Sequence, residues 1–269
     1  MKHIKLIFLL INLVPVFLTH EGQAQNGSFD IDGKSQLVLV NNTNGSIGIQ
    51  SRNFTIWPYK DIRLKKEIPP NDQLSLELST QGKDYVILNI NNFTYYLFSQ
   101  PGSYDTISIN SEAKKLQRIS FSGHSKGINE YKAQKARHFS SNSVDFMGRS
   151  ASYTDSINSY ERIAAINDSI TNVNLEYLQA NSGNLPKWYV NFETDRMEYL
   201  SARHKINSIL HRKLFQNLED PVPTNFFQMV KSTIKVENQV MLGNSTYMSF
   251  LNDYFNYLNE FPFERVVHS

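Results

Sequence analysis

Gly123-His-Ser-Lys-Gly127 is the sharpest catalytic pattern in the chain. A Gly-x-Ser-x-Gly turn between a strand and a helix can present a serine hydroxyl for nucleophilic attack, with a histidine and an acid to handle its proton. Ser125 would be the nucleophile, Asp195 the acid, and His204 or His211 the base. Two features oppose that reading. The strands before Ser125 read as antiparallel, whereas the elbow crowns a parallel sheet, and no His-Gly-Gly oxyanion segment lies upstream. Ser125 also stands where a helix N-cap is expected, accepting a backbone N–H. With this as the alternative, the sequence predicts no catalytic residue.

Other chemistry-bearing residues are sparser. His204 and His211 lie seven residues apart, about 10 Å along a helix, too far to share one metal without a third element. Asp30-Ile-Asp-Gly33 is a fragment of a calcium loop without the later acidic ligand, and reads better as a strand-end turn. Trp57, Tyr95, Tyr96 and Tyr104 would form an aromatic platform for a sugar or peptide, or else alternate between core and surface of strands. Glycines are too scattered for a phosphate-cradling loop. Cysteine is absent from the 269 residues, which removes disulfides and thiol chemistry. Neither a cofactor nor a metal is expected.

The elements that would hold these residues fall into two blocks. Up to Gly123 the pattern is period 2, punctuated by Asn41-Asn-Thr-Asn-Gly45, Pro69-Pro-Asn-Asp72, Gln81-Gly-Lys-Asp84 and Gln100-Pro-Gly-Ser103. Strands are expected at Leu37–Val40, Ile47–Ile49, Phe54–Trp57, Arg63–Ile68, Leu74–Leu78, Tyr85–Ile90, Phe93–Phe98, Thr106–Asn110 and Ile119–Gly123, with a further run at Ser28–Asp32. After Ser125 the period becomes helical. Helices are expected at Lys126–Phe139 and from Tyr153 to Leu178, the second with Tyr160, Ala164, Ile170, Val173 and Tyr177 on its buried stripe. A third follows Pro186 and buries Tyr189, Phe192, Tyr199, Ile206 and Leu210; Asn225–Val240 and Ser245–Asn259 complete the set. The fold class is therefore α+β. An antiparallel β-sandwich-like domain occupies residues 25–123 and an α-helical region residues 124–269.

Residues 1–24 read as a secretory signal. Lys2, His3 and Lys5 precede an apolar run from Leu6 to Leu18, and Gly22-Gln-Ala24 is a small-x-small cleavage site. A periplasmic or secreted protein is expected, free of the membrane once cleaved. A formal net charge of +2 supplies no field for nucleic acid or acidic lipid.

Two segments carry a family resemblance. One is the Pro101-Gly102 hairpin followed by Ile119-Ser-Phe-Ser-Gly123 and a helix beginning near Asn129-Glu-Tyr131. The other is Asn225-Phe-Phe-Gln-Met-Val230, then Ile234-Lys-Val-Glu-Asn238, then Tyr247-Met-Ser-Phe-Leu-Asn-Asp-Tyr254. Over roughly residues 27–260 the chain resembles the N-terminal, non-catalytic half of bacterial TlpA-like thiol-disulfide oxidoreductases. That family carries a thioredoxin domain with a Trp-Cys-x-x-Cys motif further on. Ser103 replaces the acidic residue usual after the hairpin's Pro-Gly, with Asp105 two positions later. The resemblance implies an exported non-catalytic module, positioning a protein partner or a C-terminal thioredoxin domain for redox chemistry. The alternative is a stand-alone periplasmic binding or structural protein.

Overall fold

Alternation along the strands sends one face into a shared core, and eight strands form on that principle. The computed structural model describes residues 33–56, 59–91, 93–110, 119–141, 160–215 and 234–260. The strands are β1 (Lys34–Asn41), β2 (Ile47–Ile56), β3 (Tyr59–Ile68), β4 (Gln73–Ser79), β5 (Asp84–Ile90), β6 (Phe93–Ser99), β7 (Tyr104–Ile109) and β8 (Ile119–Gly123). They make two four-stranded sheets, ordered β4-β1-β7-β8 and β3-β2-β5-β6. Pairing is antiparallel except between β1 and β7, which run parallel with Leu39 opposite Ile107. The fold is α+β, with a sandwich-like pair of sheets.

The sandwich core is aliphatic. Leu37, Leu39, Leu76 and Ile107 of one sheet belong to the same buried cluster as Ile49, Val86, Leu88 and Leu97 of the other. Each fully buried Leu or Ile stabilises by about 1.5–3 kcal/mol relative to exposure. β2 is a single strand where the alternation suggested two short ones. Its middle carries Ser51 and Asn53, polar yet buried, and the Asn53 amide donates to the Ser79 carbonyl at 2.5 Å. The run Ser28–Asp32 and Trp57 lie outside the described residues.

Four helices follow among the described residues: α1 (Lys126–Ser141), α2 (Tyr160–Ala180), α3 (Lys187–Phe215) and α4 (Ser245–Glu260). Pro186 precedes α3 and its carbonyl accepts the N–H groups of Tyr189 and Val190, so the helix starts where proline costs no bond. Ser182–Asn184 forms a 3₁₀ turn after α2. α2 packs on α3 and α3 on α4, while α1 lies against β6 and β8. Their core is aromatic, built on Tyr189, Phe192, Tyr199, Tyr247, Phe250 and Tyr257.

Two expectations change. Val173 is 38% exposed, and the buried side of α2 instead carries Asn167, Thr171 and Asn174. Each of these bonds the carbonyl four residues back at 2.8–2.9 Å, so the polar group is satisfied within its own helix. Ile234–Asn238 is not helical, and only Gln239–Met241 makes a 3₁₀ turn before α4. The rest of the expected Asn225–Val240 helix, and Tyr153 and Ile157, lie outside the described residues.

Candidate functional site

Tyr85 and Phe98 sit opposite each other on β5 and β6, on the face pointing away from the sandwich core. That face receives α3. Phe98 packs its ring against Trp188, Tyr189 and Phe192 with centroids 5.5–5.8 Å apart, and against Tyr85 at 5.7 Å. Rings at such distances, mostly edge to face, contribute beyond their buried area.

Beneath these rings lies a carboxylate with no solvent access. Glu193 of α3 is 0% exposed. Arg196, one turn on, grips it through two bonds, Nε to Oε2 at 2.7 Å and Nη2 to Oε1 at 2.8 Å. The Tyr85 hydroxyl donates to Oε2 at 2.7 Å. Because that single proton is committed, Tyr189 donates its own hydroxyl to Tyr85 at 2.9 Å. From α1, Lys132 approaches Oε1 at 3.4 Å and Lys135 at 3.8 Å. Lys132 Nζ and the Arg196 guanidinium also lie 4.3 and 5.0 Å from the centre of the Tyr85 ring.

The cluster therefore sets three cations against one carboxylate in a dry place. Burial pushes Glu193 up, but Arg196, Lys132 and Lys135 outweigh it and hold the acid well below the usual carboxylate range. Burial pulls Lys132 down to about 8 and Lys135 to about 7, with Glu193 opposing both shifts. Burial, reinforced by the Glu193 charge, keeps Tyr85 well above the ordinary phenol value, so it serves as a donor. The arrangement joins β5, α1 and α3 through one ionised group, and it is a mechanical junction.

Two carboxylates of the sandwich hold helix starts. Asp105 of β7 accepts the Ser125 N–H at 2.6 Å, just before α1. In return Asn129 of α1 accepts the Phe98 N–H at 2.8 Å. Asp84 of β5 accepts the Ser245 N–H and hydroxyl and the Asn244 amide at 3.0–3.1 Å, capping α4 from another element. Burial raises Asp84 to about 6 against the pull of those hydrogen bonds and of Arg196. Alongside, Gly82 and Gly243 touch backbone to backbone. A Cβ on Gly82 would meet the Leu242 carbonyl at 2.6 Å, and Gly243 has φ +86°.

Among the described residues, Ser125, Asp195 and His204 are not assembled into a triad. Ser125 is 2% exposed and its Oγ has no hydrogen-bond partner among the described residues, so the side chain does not cap α1 as expected; Asp105 does. The neighbouring His124 ring lies against the Tyr104 backbone. Asp195 accepts the Asn238 amide at 2.9 Å. His204 is nine residues further along α3, about 13 Å of axial rise from Asp195. Burial and Arg203 lower His204 to about 4. The His211 side chain lies outside the described residues. Among the described residues no three of His, Cys, Asp and Glu converge to hold a metal. Asp30 and Asp32 lie outside them. Tyr95 points into the core, while Tyr96 and Tyr104 are exposed on the outer faces of opposite sheets, so they form no shared platform.

The junction residues escaped sequence reading. Glu193 and Arg196 at i, i+3 look like any solvated helical pair. The available signal was weak: an outward-facing Tyr85 and Phe98 on strands whose other face already fills a core. No protein-family model matches the chain, and no curated protein matches it. No helix among the described residues is long and apolar enough to cross a membrane.

Proposed function

We propose that this chain is an exported, non-catalytic module that holds a protein partner, or a thioredoxin-type domain continuing the chain, in place for disulfide chemistry done by that partner. The observation that carries the reading is the three-point tie between sandwich and helices. Glu193 with Tyr85, Asp105 with Ser125, and Asp84 with Ser245 bind two layers that could otherwise slide. A positioning module needs such rigidity, because exchange between sulfurs depends on the geometry of approach. The order of elements, sandwich and then helices, agrees with the resemblance to the N-terminal half of TlpA-like oxidoreductases. Without cysteine the chain supplies no thiolate itself.

The test is direct. The coding sequence beyond Ser269 is expected to continue into a Trp-Cys-x-x-Cys segment, and the 269-residue chain is expected not to reduce insulin disulfides on its own. A stop codon at that point, together with no binding to a separate thioredoxin-type protein, overturns the reading. It would favour a stand-alone binding protein, which a cavity between α2 and α3 supports. The hydrolase alternative through Ser125 is disfavoured by the burial of its Oγ.

A further inference from the structure

The seam between α2 and α3 is polar where helix seams are normally apolar. α3 presents Glu198, Ser201, Ala202 and Lys205, spaced i, i+3, i+4 and i+7 on one face. α2 presents Asp168, Thr171, Asn172 and Leu175 with the same spacing. Between them lies an open trough of about 100 Å³, lined also by Ile234. A water takes about 30 Å³ of liquid, so the cavity has room for a molecule of several heavy atoms.

We infer that this trough binds a small molecule bearing a primary ammonium group on a short aliphatic body. Charge supports it first. Asp168 and Glu198 are acidic and Lys205 basic, which leaves the trough one negative charge in excess. Lys205 Nζ is committed to Asp168 at 2.6 Å. The half-buried Glu198 makes no hydrogen bond or ion pair among the described residues, so the surplus charge resides on it. Burial, with Asp195 nearby, already pushes Glu198 up, and a cation beside it would relieve that. Second, Ser201 lines the cavity, is 6% exposed, and its Oγ lacks a hydrogen-bond partner among the described residues. A buried hydroxyl left unpaired costs about 1–3 kcal/mol, and a ligand N–H within reach would recover part of it. Third, Leu175, Ala202 and Ile234 give the trough an apolar side for a carbon body. A hard metal ion suits the site poorly, since it wants six or more oxygens and Lys205 would repel it.

The probe is isobutylamine, with isobutanol and isobutyrate as controls of like shape, titrated into the full chain at pH 7.5 and followed by backbone amide shifts. The amine is expected to shift resonances of residues 168–175 and 198–205 saturably, with an affinity at least 10-fold above that of the alcohol. Glu198→Gln is expected to weaken amine binding about 10-fold with a thermal midpoint unchanged or raised, since the carboxylate makes no bond among the described residues and is disfavoured by burial and by Asp195; Ser201→Ala about 3-fold. Equal affinity for amine and alcohol, or amine binding undiminished in Glu198→Gln, overturns the inference.

Discussion

Replacing Glu193 by glutamine keeps the shape of the junction and removes its single negative charge. Arg196, Lys132 and Lys135 then face one another with no anion between them. Deleting one partner of a buried ion pair costs about 3–5 kcal/mol. Part of that loss depends on pH. In the native protein Lys135 sits at about 7 and Lys132 at about 8, both below the unfolded lysine value. The unfolded chain therefore binds more protons from pH 7 upward, and stability rises with pH across that window. Without the Glu193 carboxylate the two folded values fall further. At pH 7 the lysines then account for roughly 2 kcal/mol of the deficit, and by pH 9 for almost none, because both are neutral in either folded protein. Urea unfolding at the two pH values measures this. The expected result is a midpoint loss of 3–5 kcal/mol at pH 7, shrinking by roughly 2 kcal/mol at pH 9, with an unchanged denaturant slope. By heat the same loss is roughly 6–20 °C. Adding Lys135→Met to Glu193→Gln should recover at least about 1 kcal/mol, since one of the crowded cations is gone. A loss below about 1 kcal/mol at pH 7, or an equal deficit at both pH values, would refute the account of Glu193 as the counter-charge of the junction.

Three further outcomes follow from the same geometry. Asp84 stands at about 6 in the fold, above its unfolded value, so its contribution is complete below about pH 4 and is lost as pH rises through 6. Asp84→Asn should remove a fall of roughly 3 kcal/mol between those limits, and an unaltered pH–stability slope would contradict it. Gly82→Ala forces a Cβ onto the Leu242 carbonyl and the Gly243 Cα; a loss of about 2 kcal/mol or more in urea unfolding is expected, and wild-type stability would mean that the two loops are not in contact. Ser125→Ala removes a buried, unpaired hydroxyl and should leave stability unchanged or slightly raised; a loss above about 1 kcal/mol, or loss of an ester-hydrolysing activity, would restore a role for Oγ.

What the amino-acid order determined alone was local. Leu74-Ser-Leu-Glu-Leu78 is a strand because its neighbours alternate, and β4 spans it with one residue added at each end. Ser245–Asn259 reads as a helix from its apolar spacing, and α4 adds one residue. The boundary at Gly123 was equally legible, since β8 ends there and α1 begins three residues later. Where polar residues are buried, the same logic failed. The buried stripe expected for α2 omits Asn167, Thr171 and Asn174, because nothing nearby tells that their side chains satisfy themselves on their own helix. Ile234–Asn238 carries helix-like spacing, yet Tyr199 donates its hydroxyl to the Lys235 carbonyl and Tyr247 to the Val236 carbonyl, partners from two other helices. The junction lay furthest from view. Tyr85 and Glu193 are 108 residues apart, Lys132 and Glu193 61, and Gly82 meets Gly243 from a distant part of the chain. Periodicity reports which face of an element avoids water, because that preference is settled within a few residues. Which carboxylate becomes the one dry anion among three cations depends on which faces meet, and only the packed chain decides that.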